Sequence, residues 1–363
     1  YSLGRPTIQR KYFVNANQLF FIKNKKVEIH EQKLPELKPN QVLVKNLYSA
    51  VSAGTEMLVY RGQLPDNMAL DENLVAFNQQ KNSYPLQYGY ACVGEIEEIG
   101  EDGDATCIGN KVFSFQPHAS HHICEMDSVI NLPHGIDPKE AVFLANMETA
   151  VNLVQDANPH LGDRVVVMGQ GVVGLLVSTI LAKFPLASLD TVETLANRRT
   201  LSVQAGTQET FSPASNEDIT ALKDKLKLRT QPNSNDSSGG ADVVFELTGS
   251  PAALNMAIDF CAYAGRIVVG SWYGTKSAHL NLGTRFHRNR INIMSSQVST
   301  IAPELSGRWD KERRFSVTWE MIKKCHPAQF ISHCIPFTQA EKAYQLLDDS
   351  PQDALQVIFD YQQ

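Results

Sequence analysis

The segment from Gly162 to Ala182 constrains this chain most. Gly162-Asp163 opens a buried apolar strand over residues 164–168, which runs directly into Gly169-Gln170-Gly171-Val172-Val173-Gly174 and then into a mostly apolar helix ending near Ala182. A glycine-rich turn alone marks only a tight connection. Between a buried strand and a helix, it predicts a strand-helix-strand unit. Further strands are predicted to end near Glu193 and to span 242–247, 266–270 and 292–294, with a helical stretch running to Ala205-Gly206. Strands alternating with helices give an α/β chain with a doubly wound parallel sheet.

The glycine spacing carries a definite chemistry. Gly169 permits the tight turn, Gly171 lets the backbone approach a pyrophosphate, and Gly174 lets helix and strand pack closely. Val172 and Val173 then start a helix whose first amide groups face that phosphate. Glu193, at the end of the second strand, is the acid expected to bind the adenosine ribose and to repel a 2′-phosphate, which favours NAD over NADP. Arg198-Arg199 is the counterweight: either arginine would suit a 2′-phosphate, or both lie on a solvated helix face. Thr248, Gly249 and Gly270 end later strands and are expected along the nicotinamide half.

The text from about residue 9 to 146 is strand-like instead, with short apolar runs at 19–23, 41–46, 94–99, 111–115 and 128–132 punctuated by Gly, Pro, Asn and Asp. A tail with an amphipathic helix at 339–347 and a strand at 355–361 is too small to fold alone and returns to this first domain. The 363 residues, 43% apolar with a formal charge of −6, suit two globular domains and lack the basic excess of a nucleic-acid binder. The longest apolar stretches are far shorter than the ~20 residues of a membrane span. A polar, basic start without a signal-like apolar core predicts the cytoplasm. The six cysteines include no Cys-x-x-Cys pair, which disfavours a structural zinc lobe. The run 229–240, rich in Asn, Ser and Gly, is predicted to be a mobile surface loop.

These features, with Val51-Ser52-Ala53-Gly54-Thr55-Glu56, Gly89-Tyr90-Ala91-Cys92-Val93-Gly94, the segment from Ala241 to Gly249 and Gly265-Arg266-Ile267-Val268-Val269-Gly270, resemble the medium-chain dehydrogenase/reductase superfamily over nearly the whole chain. Pro117-His118-Ala119-Ser120-His121, Met147-Glu148-Thr149-Ala150-Val151-Asn152 and Ser295-Ser296-Gln297-Val298-Ser299 resemble the bacteriochlorophyllide a dehydrogenase-like subgroup. The resemblance implies a GroES-like β domain from 1–146 and 299–363, a Rossmann domain over 147–298, an active site between them, and a homodimer. Zinc-type members carry a cysteine, a histidine and a glutamate where this chain has Ala53, Tyr90 and Ala91; only Glu148 keeps a ligand-capable side chain. One carboxylate cannot hold a catalytic zinc, so no metal site is expected. The rival set His118, His121, His122 and Cys124 reads better as strand or pocket residues, since neighbours on a strand face opposite ways.

Without zinc, neutral donors must polarise a carbonyl oxygen and exchange its proton. Thr55 matches the family's hydroxyl relay, or else bonds its own turn. Tyr90 is either a phenol donor or an apolar plug; Glu148 orients a donor or caps its helix; His118 is a proton shuttle or a polar substrate contact. The expected activity is NAD(P)-dependent hydride transfer between nicotinamide and a secondary alcohol or ketone. A flap over 62–87 points to a bulky or heterocyclic small-molecule substrate, though a surface excursion reads equally from it. A zinc-free enoyl or quinone reductase and a non-catalytic nucleotide-binding module are the alternatives.

Overall fold

The computed structural model describes residues 14–64, 83–227 and 239–363. Most of the 62–87 flap and of the 229–240 loop lies outside the described residues. The first described elements are an antiparallel hairpin, β1 (Asn15–Lys23) and β2 (Lys26–Lys33). β2, whose sequence KVEIHEQK is half charged and half exposed, has no apolar run to betray it.

β3 (Gln41–Ala50) is the spine of a seven-stranded sheet. After the short helix α1 (Glu56–Tyr60), β4 (Cys92–Ile99) pairs antiparallel along one edge of β3 and continues to β5 (Lys111–Ser114). β6 (His121–Glu125), which the sequence pattern does not single out, covers the first half of β3's other edge. The strand expected at 128–132 shrinks to the two-residue β7 (Ile130–Asn131), preceded by a 3-10 turn over Met126–Ser128. Helices α2 (Pro138–Ala141) and α3 (Leu144–Ala157) lead out, so the expected domain cut after residue 146 falls inside α3.

The second sheet is wholly parallel. β8 (Arg164–Met168), α4 (Val172–Leu181), β9 (Ser188–Val192), α5 (Ala196–Gln204), β10 (Glu209–Phe211) and α6 (Asn216–Lys225) build one half; β11 (Ala241–Glu246), α7 (Ala253–Phe260), β12 (Cys261–Val269) and β13 (Asn292–Ser295) build the other. The order β10-β9-β8-β11-β12-β13 reverses direction between β8 and β11, and that reversal opens a crevice beyond the carboxyl ends of the strands. Buried Val, Ile, Leu and Phe side chains on both faces explain why these strands read as continuous apolar runs.

The chain then turns back through α8 (Lys311–Cys325), β14 (Ile331–Pro336), α9 (Ala340–Asp349) and β15 (Gln356–Asp360). β15 pairs with the second half of β3, so the tail completes the first sheet. α3 and α8 are the shared wall: one buried core joins Ala50, Val93 and Phe113 of the first sheet to Leu144, Met147, Val165 and Leu175. A second core, with Phe21, Tyr60, Tyr344 and Phe359, holds α9 against the β1–β2 hairpin side.

Candidate dinucleotide and active site

At the end of β8 the three glycines do different work. Gly169 has φ +89°, and a Cβ there would come within 2.7 Å of the Leu247 carbonyl oxygen. A Cβ on Gly174 would lie 2.0 Å from the Gly169 carbonyl oxygen, so only glycine lets α4 close onto the turn. At Gly171 a Cβ would meet nothing nearer than the Arg198 guanidinium at 4.0 Å. The space in front of Gly171, Val172 and Val173 is therefore open, and the first N–H groups of α4 have no acceptor within the helix. This is an anion cradle sized for backbone approach.

Glu193 follows β9 and is almost fully buried. Its two oxygens accept from the Gln170 and Leu195 N–H groups at 2.6 and 2.8 Å, which fixes the carboxylate beside the glycine turn. The Arg198 Nη2 is committed to the Pro351 and Ala354 carbonyls of the returning tail, while its buried Nε has no partner and its Nη1 borders the cradle. Burial lowers the pKa of this guanidinium. Arg199 turns back onto the Glu193 and Thr194 carbonyls.

On the other side of the crevice, Thr248 and Gly249 follow β11 and Gly270 follows β12. Glu246, fully buried at the end of β11, organises this edge: it accepts from the Thr248 N–H at 2.9 Å, from the Thr248 hydroxyl, and from the Tyr273 phenol at 2.5 Å. Burial and the neighbouring carboxylate push the Tyr273 phenol far above its usual range. The Gly249 N–H donates to the Ser271 hydroxyl, and a Cβ on Gly270 would strike Leu247 and Leu153. Glu246 and Tyr273 had no assigned role in the sequence, because 27 residues, with a helix and a strand among them, separate the two.

In the first domain the Tyr90 phenol donates to the Ser52 hydroxyl at 2.5 Å and lies 3.3 Å from the Thr55 hydroxyl. Thr55 is the N-cap of α1, yet its side chain makes no capping bond. The Tyr90 ring meanwhile packs, half-buried, against both hydrophobic cores. Plug and donor are thus properties of one side chain.

His118 does not face the cleft, which corrects the expectation of a substrate contact there. It is fully buried, with Nδ1 2.7 Å from the Ser49 hydroxyl and Nε2 3.0 Å from Glu56, because the chain crossing at Gln18 and Ala119 draws it under the β1–β2 hairpin. Glu56 also accepts from Tyr344 at 2.6 Å and from the Ser52 N–H at 2.7 Å, and Ser49 reaches Tyr361 at 2.7 Å. A buried chain Tyr361–Ser49–His118–Glu56–Tyr344 thus anchors the backbone of Ser52, the partner of Tyr90. Burial, with Glu56 near both, drives the Tyr344 and Tyr361 phenols well above the ordinary range.

Glu148 does not cap its helix; Phe143 stands at the N-cap. One turn in, its Oε1 accepts from Arg314 Nε at 3.0 Å and Lys311 Nζ at 2.8 Å. Arg314, fully buried, adds the Asn152 side chain and the Val298 and Thr300 carbonyls. The residues where zinc-type relatives bind metal do not fit the ion: Ala53 and Ala91 have no donor atom, the Tyr90 phenol is engaged by hydroxyls, and Glu148 is held by two cations. His121 and His122 face opposite sides of β6; His122 bonds Ser114, His121 lies near Glu97, and burial pushes the Cys124 thiol up to about 11. Among the described residues, no three His, Cys, Asp or Glu side chains converge on a metal-sized point.

A family model described as zinc-binding dehydrogenase matches residues 173–314. The chain is 25% identical over 337 residues to D-guloside 3-dehydrogenase of Escherichia coli (strain K12), an alignment covering 88% of this chain and 92% of the relative. L-threonine 3-dehydrogenase of Caldanaerobacter subterraneus subsp. tengcongensis is 22% identical at the same coverage, and (R,R)-butanediol dehydrogenase of Bacillus subtilis is 23% identical over 76% of this chain and 81% of its own. Among solved structures, an alcohol dehydrogenase of Escherichia coli CFT073 complexed with NADH superposes with TM-score 0.76 at 15% identity, covering 96% of this chain and 99% of that one. The 2R,3R-butanediol dehydrogenase of Bacillus subtilis gives TM-score 0.74 at 16% identity, covering 95% and 99%. With its reversed six-stranded parallel sheet, its β domain closed by the tail, and these relatives, the chain is similar over nearly its whole length to the alcohol dehydrogenase-like medium-chain dehydrogenases/reductases.

Proposed function

We propose that this chain transfers hydride between NAD and a small-molecule secondary alcohol or ketone, and that it does so without catalytic zinc. The observation that carries the reading is the pairing of an open anion cradle at Gly171 with a phenol, Tyr90, held by Ser52 and Thr55 where the superfamily's metal ligand stands. When bound, the nicotinamide supplies or accepts the hydride. The chain's own residues handle the proton: Tyr90 takes it from the alcohol oxygen during oxidation while passing its own phenolic proton to Ser52 or Thr55, both partly exposed, which release one to solvent, with the reverse during reduction.

Glu193, pinned beside the turn by the Gln170 and Leu195 N–H groups, supports NAD over NADP, and Arg198 borders the same cradle. Gly169, Gly171, Val172, Val173 and Gly174 would hold the pyrophosphate, and Thr248, Gly249 and Gly270 the nicotinamide half. Relatives named for a guloside, threonine and butanediol support a hydroxyl-bearing substrate. The apolar residues within 62–87 support a bulky or heterocyclic one. Work in the cytoplasm as a homodimer completes the reading.

The test is turnover of a panel of methyl glycosides, polyols, diols, cyclic ketones and enones with NAD(H) and NADP(H), before and after dialysis against a strong zinc chelator, together with elemental analysis. Turnover of alcohols or ketones that survives chelation is expected. Stoichiometric zinc required for turnover overturns the zinc-free part, and reduction of enones alone overturns the alcohol part. Tyr90→Phe keeps the ring packing and removes the donor; it is expected to lower kcat about 100-fold or more with NADH affinity unchanged, and an unchanged kcat leaves the phenol only its packing role.

A further inference from the structure

Resting on that reading, we infer that Lys311 is the electrophile of the site, its ammonium facing the reacting oxygen at the nicotinamide end of the cleft. Tyr90 is a neutral donor, and an oxygen that becomes an alkoxide during hydride transfer is stabilised most by preorganised positive charge. The residues around Glu148 place such charge at the domain junction. Lys311 and Arg314 bring two positive charges against the single negative charge of Glu148, leaving a net charge of about +1 where a zinc-type relative has its metal.

The position follows from three contacts. Lys311 is the first residue of α8, and its Nζ donates to the carbonyl of Val298, just beyond the carboxyl end of β13. That is the same sheet edge as Thr248 and Gly270, on the side of the strand reversal away from Glu193, where the nicotinamide half of a dinucleotide lies. One turn along α8, the ring of Phe315 meets that of Phe115 from the first domain at 6.3 Å, and the Lys311 ammonium lies over Phe315 at 5.7 Å. Lys311 therefore stands where the two domains meet.

Its neighbour and it divide the work. Arg314 is fully buried and spends its donors on Glu148, Asn152 and two carbonyls, so it cannot reach a substrate. The Lys311 side chain is 43% exposed, and of the three N–H bonds of an ammonium, Glu148 and the Val298 carbonyl account for two. The third is left for the open side. No proton or electron need leave Lys311 in the reaction: the hydride passes from the alcohol carbon to the nicotinamide, the proton to Tyr90, and Lys311 stabilises the oxygen throughout.

The test uses Lys311→Met and Lys311→Arg in the intact chain, with two readouts. The first needs no substrate: dissociation constants of NAD+ and NADH by fluorescence. A cation beside the nicotinamide opposes the charged NAD+ ring, so Lys311→Met is expected to tighten NAD+ relative to NADH by about 5-fold or more, with Lys311→Arg near wild type. The second is kcat and KM on whichever panel substrate turns over. Lys311→Met is expected to lower kcat about 100-fold with little change in KM, and Lys311→Arg to restore part of it. An unchanged NAD+/NADH ratio overturns the inference, since Lys311 is then remote from the ring. A raised KM with intact kcat overturns it too, in favour of a cation that grips an acidic substituent of the substrate. If wild-type protein binds neither dinucleotide, it is the oxidoreductase reading that fails. Melting temperatures within a few degrees of wild type exclude simple misfolding of either variant.

Discussion

Gly171 and Gly174 are three residues apart in one turn, and the structure gives them opposite sensitivities. Gly171 sits at φ −70° with no protein atom nearer than 4.0 Å to an added methyl group, so Gly171→Ala is expected to leave the melting temperature within a degree or two while raising the NADH dissociation constant about tenfold or more. Gly174→Ala drives a methyl to 2.0 Å from a backbone carbonyl, which must move; a cost of about 1–3 kcal/mol in stability is expected, seen as a lower urea midpoint even without dinucleotide. If both variants lose stability equally, the space at Gly171 is not a ligand's. A second residue governs pH dependence. His122 is buried with Nδ1 unpartnered, and burial depresses its pKa from 6.5 to about 3. The unfolded chain therefore binds a proton that the folded one refuses between those two values, so stability falls as pH drops below about 6.5, at ~1.4 kcal/mol per unit. Between pH 8 and pH 5 the loss from this group is about 2 kcal/mol. His122→Gln is expected to remove that slope in paired urea titrations, the raised pKa values of Asp156 and Asp190 being common to both chains. Identical slopes would mean that His122 is hydrated or protonated in the fold.

Elements show what a sequence can and cannot disclose. The β8–turn–α4 unit was legible because every part of its logic lies within about twenty residues: buried strand, glycine spacing, apolar helix. The acid at Glu193 was legible for the same reason. The Glu56–His118 pair was not, since its members are 62 residues apart and Tyr344 closes on Glu56 from 288 residues away. Only the fold brings α9 and β15 back beneath β3. A weak signal was present: Glu56 is a carboxylate in the apolar stretch from Val51 to Tyr60, and its spacing of four from Ser52 is the reach of a side chain back to a turn's N–H. Glu148 was singled out, but its meaning changed once α8 supplied Arg314 and Lys311 from 166 and 163 residues away. This clamp ties α3 to α8 and to the segment after β13, through Asn152, Ser296 and Asp156 as well. Arg314→Leu strips Glu148 of its buried partner and leaves the Thr300 carbonyl and the Asn152 side-chain oxygen without their donor, so a loss of about 3–5 kcal/mol is expected in chemical denaturation. Arg314→Lys should recover only a minor part, because a point charge cannot reproduce the fork. A loss below about 1 kcal/mol for Arg314→Leu would show that the clamp contributes little to holding the two helices.

At the scale of the whole molecule, the question is whether dinucleotide binding is felt by one domain or by both. Two sheets with separate strand orders suggest two independent melting units. The side chains argue otherwise: the largest core runs without a break from Phe113 and Val93 through α3 to Val165 and Leu175. A second tie lies beside the glycine turn, where Asn197 and Arg198 donate to the Gln352, Pro351 and Ala354 carbonyls between α9 and β15, so the residue that borders the open space at Gly171 also holds the returning tail. A ligand that binds only the folded state at about 100 times its dissociation constant stabilises by about 2.7 kcal/mol. Spread over the entropy of unfolding all 363 residues as one unit, that is a rise of about 3 to 4 °C in melting temperature; confined to the nucleotide domain alone, it would be about twice as large and would leave the other domain's transition in place. Scanning calorimetry with NADH is therefore expected to give one endotherm that moves as a whole. Arg198→Ala, which removes two of the three bonds to the tail and a cation from the cradle, should both weaken NADH binding and broaden that endotherm, since the shared core and the Asn197 bond are then left to link the domains. Two endotherms in the wild type, with only the upper one responding to NADH, would show that the shared core does not couple the domains.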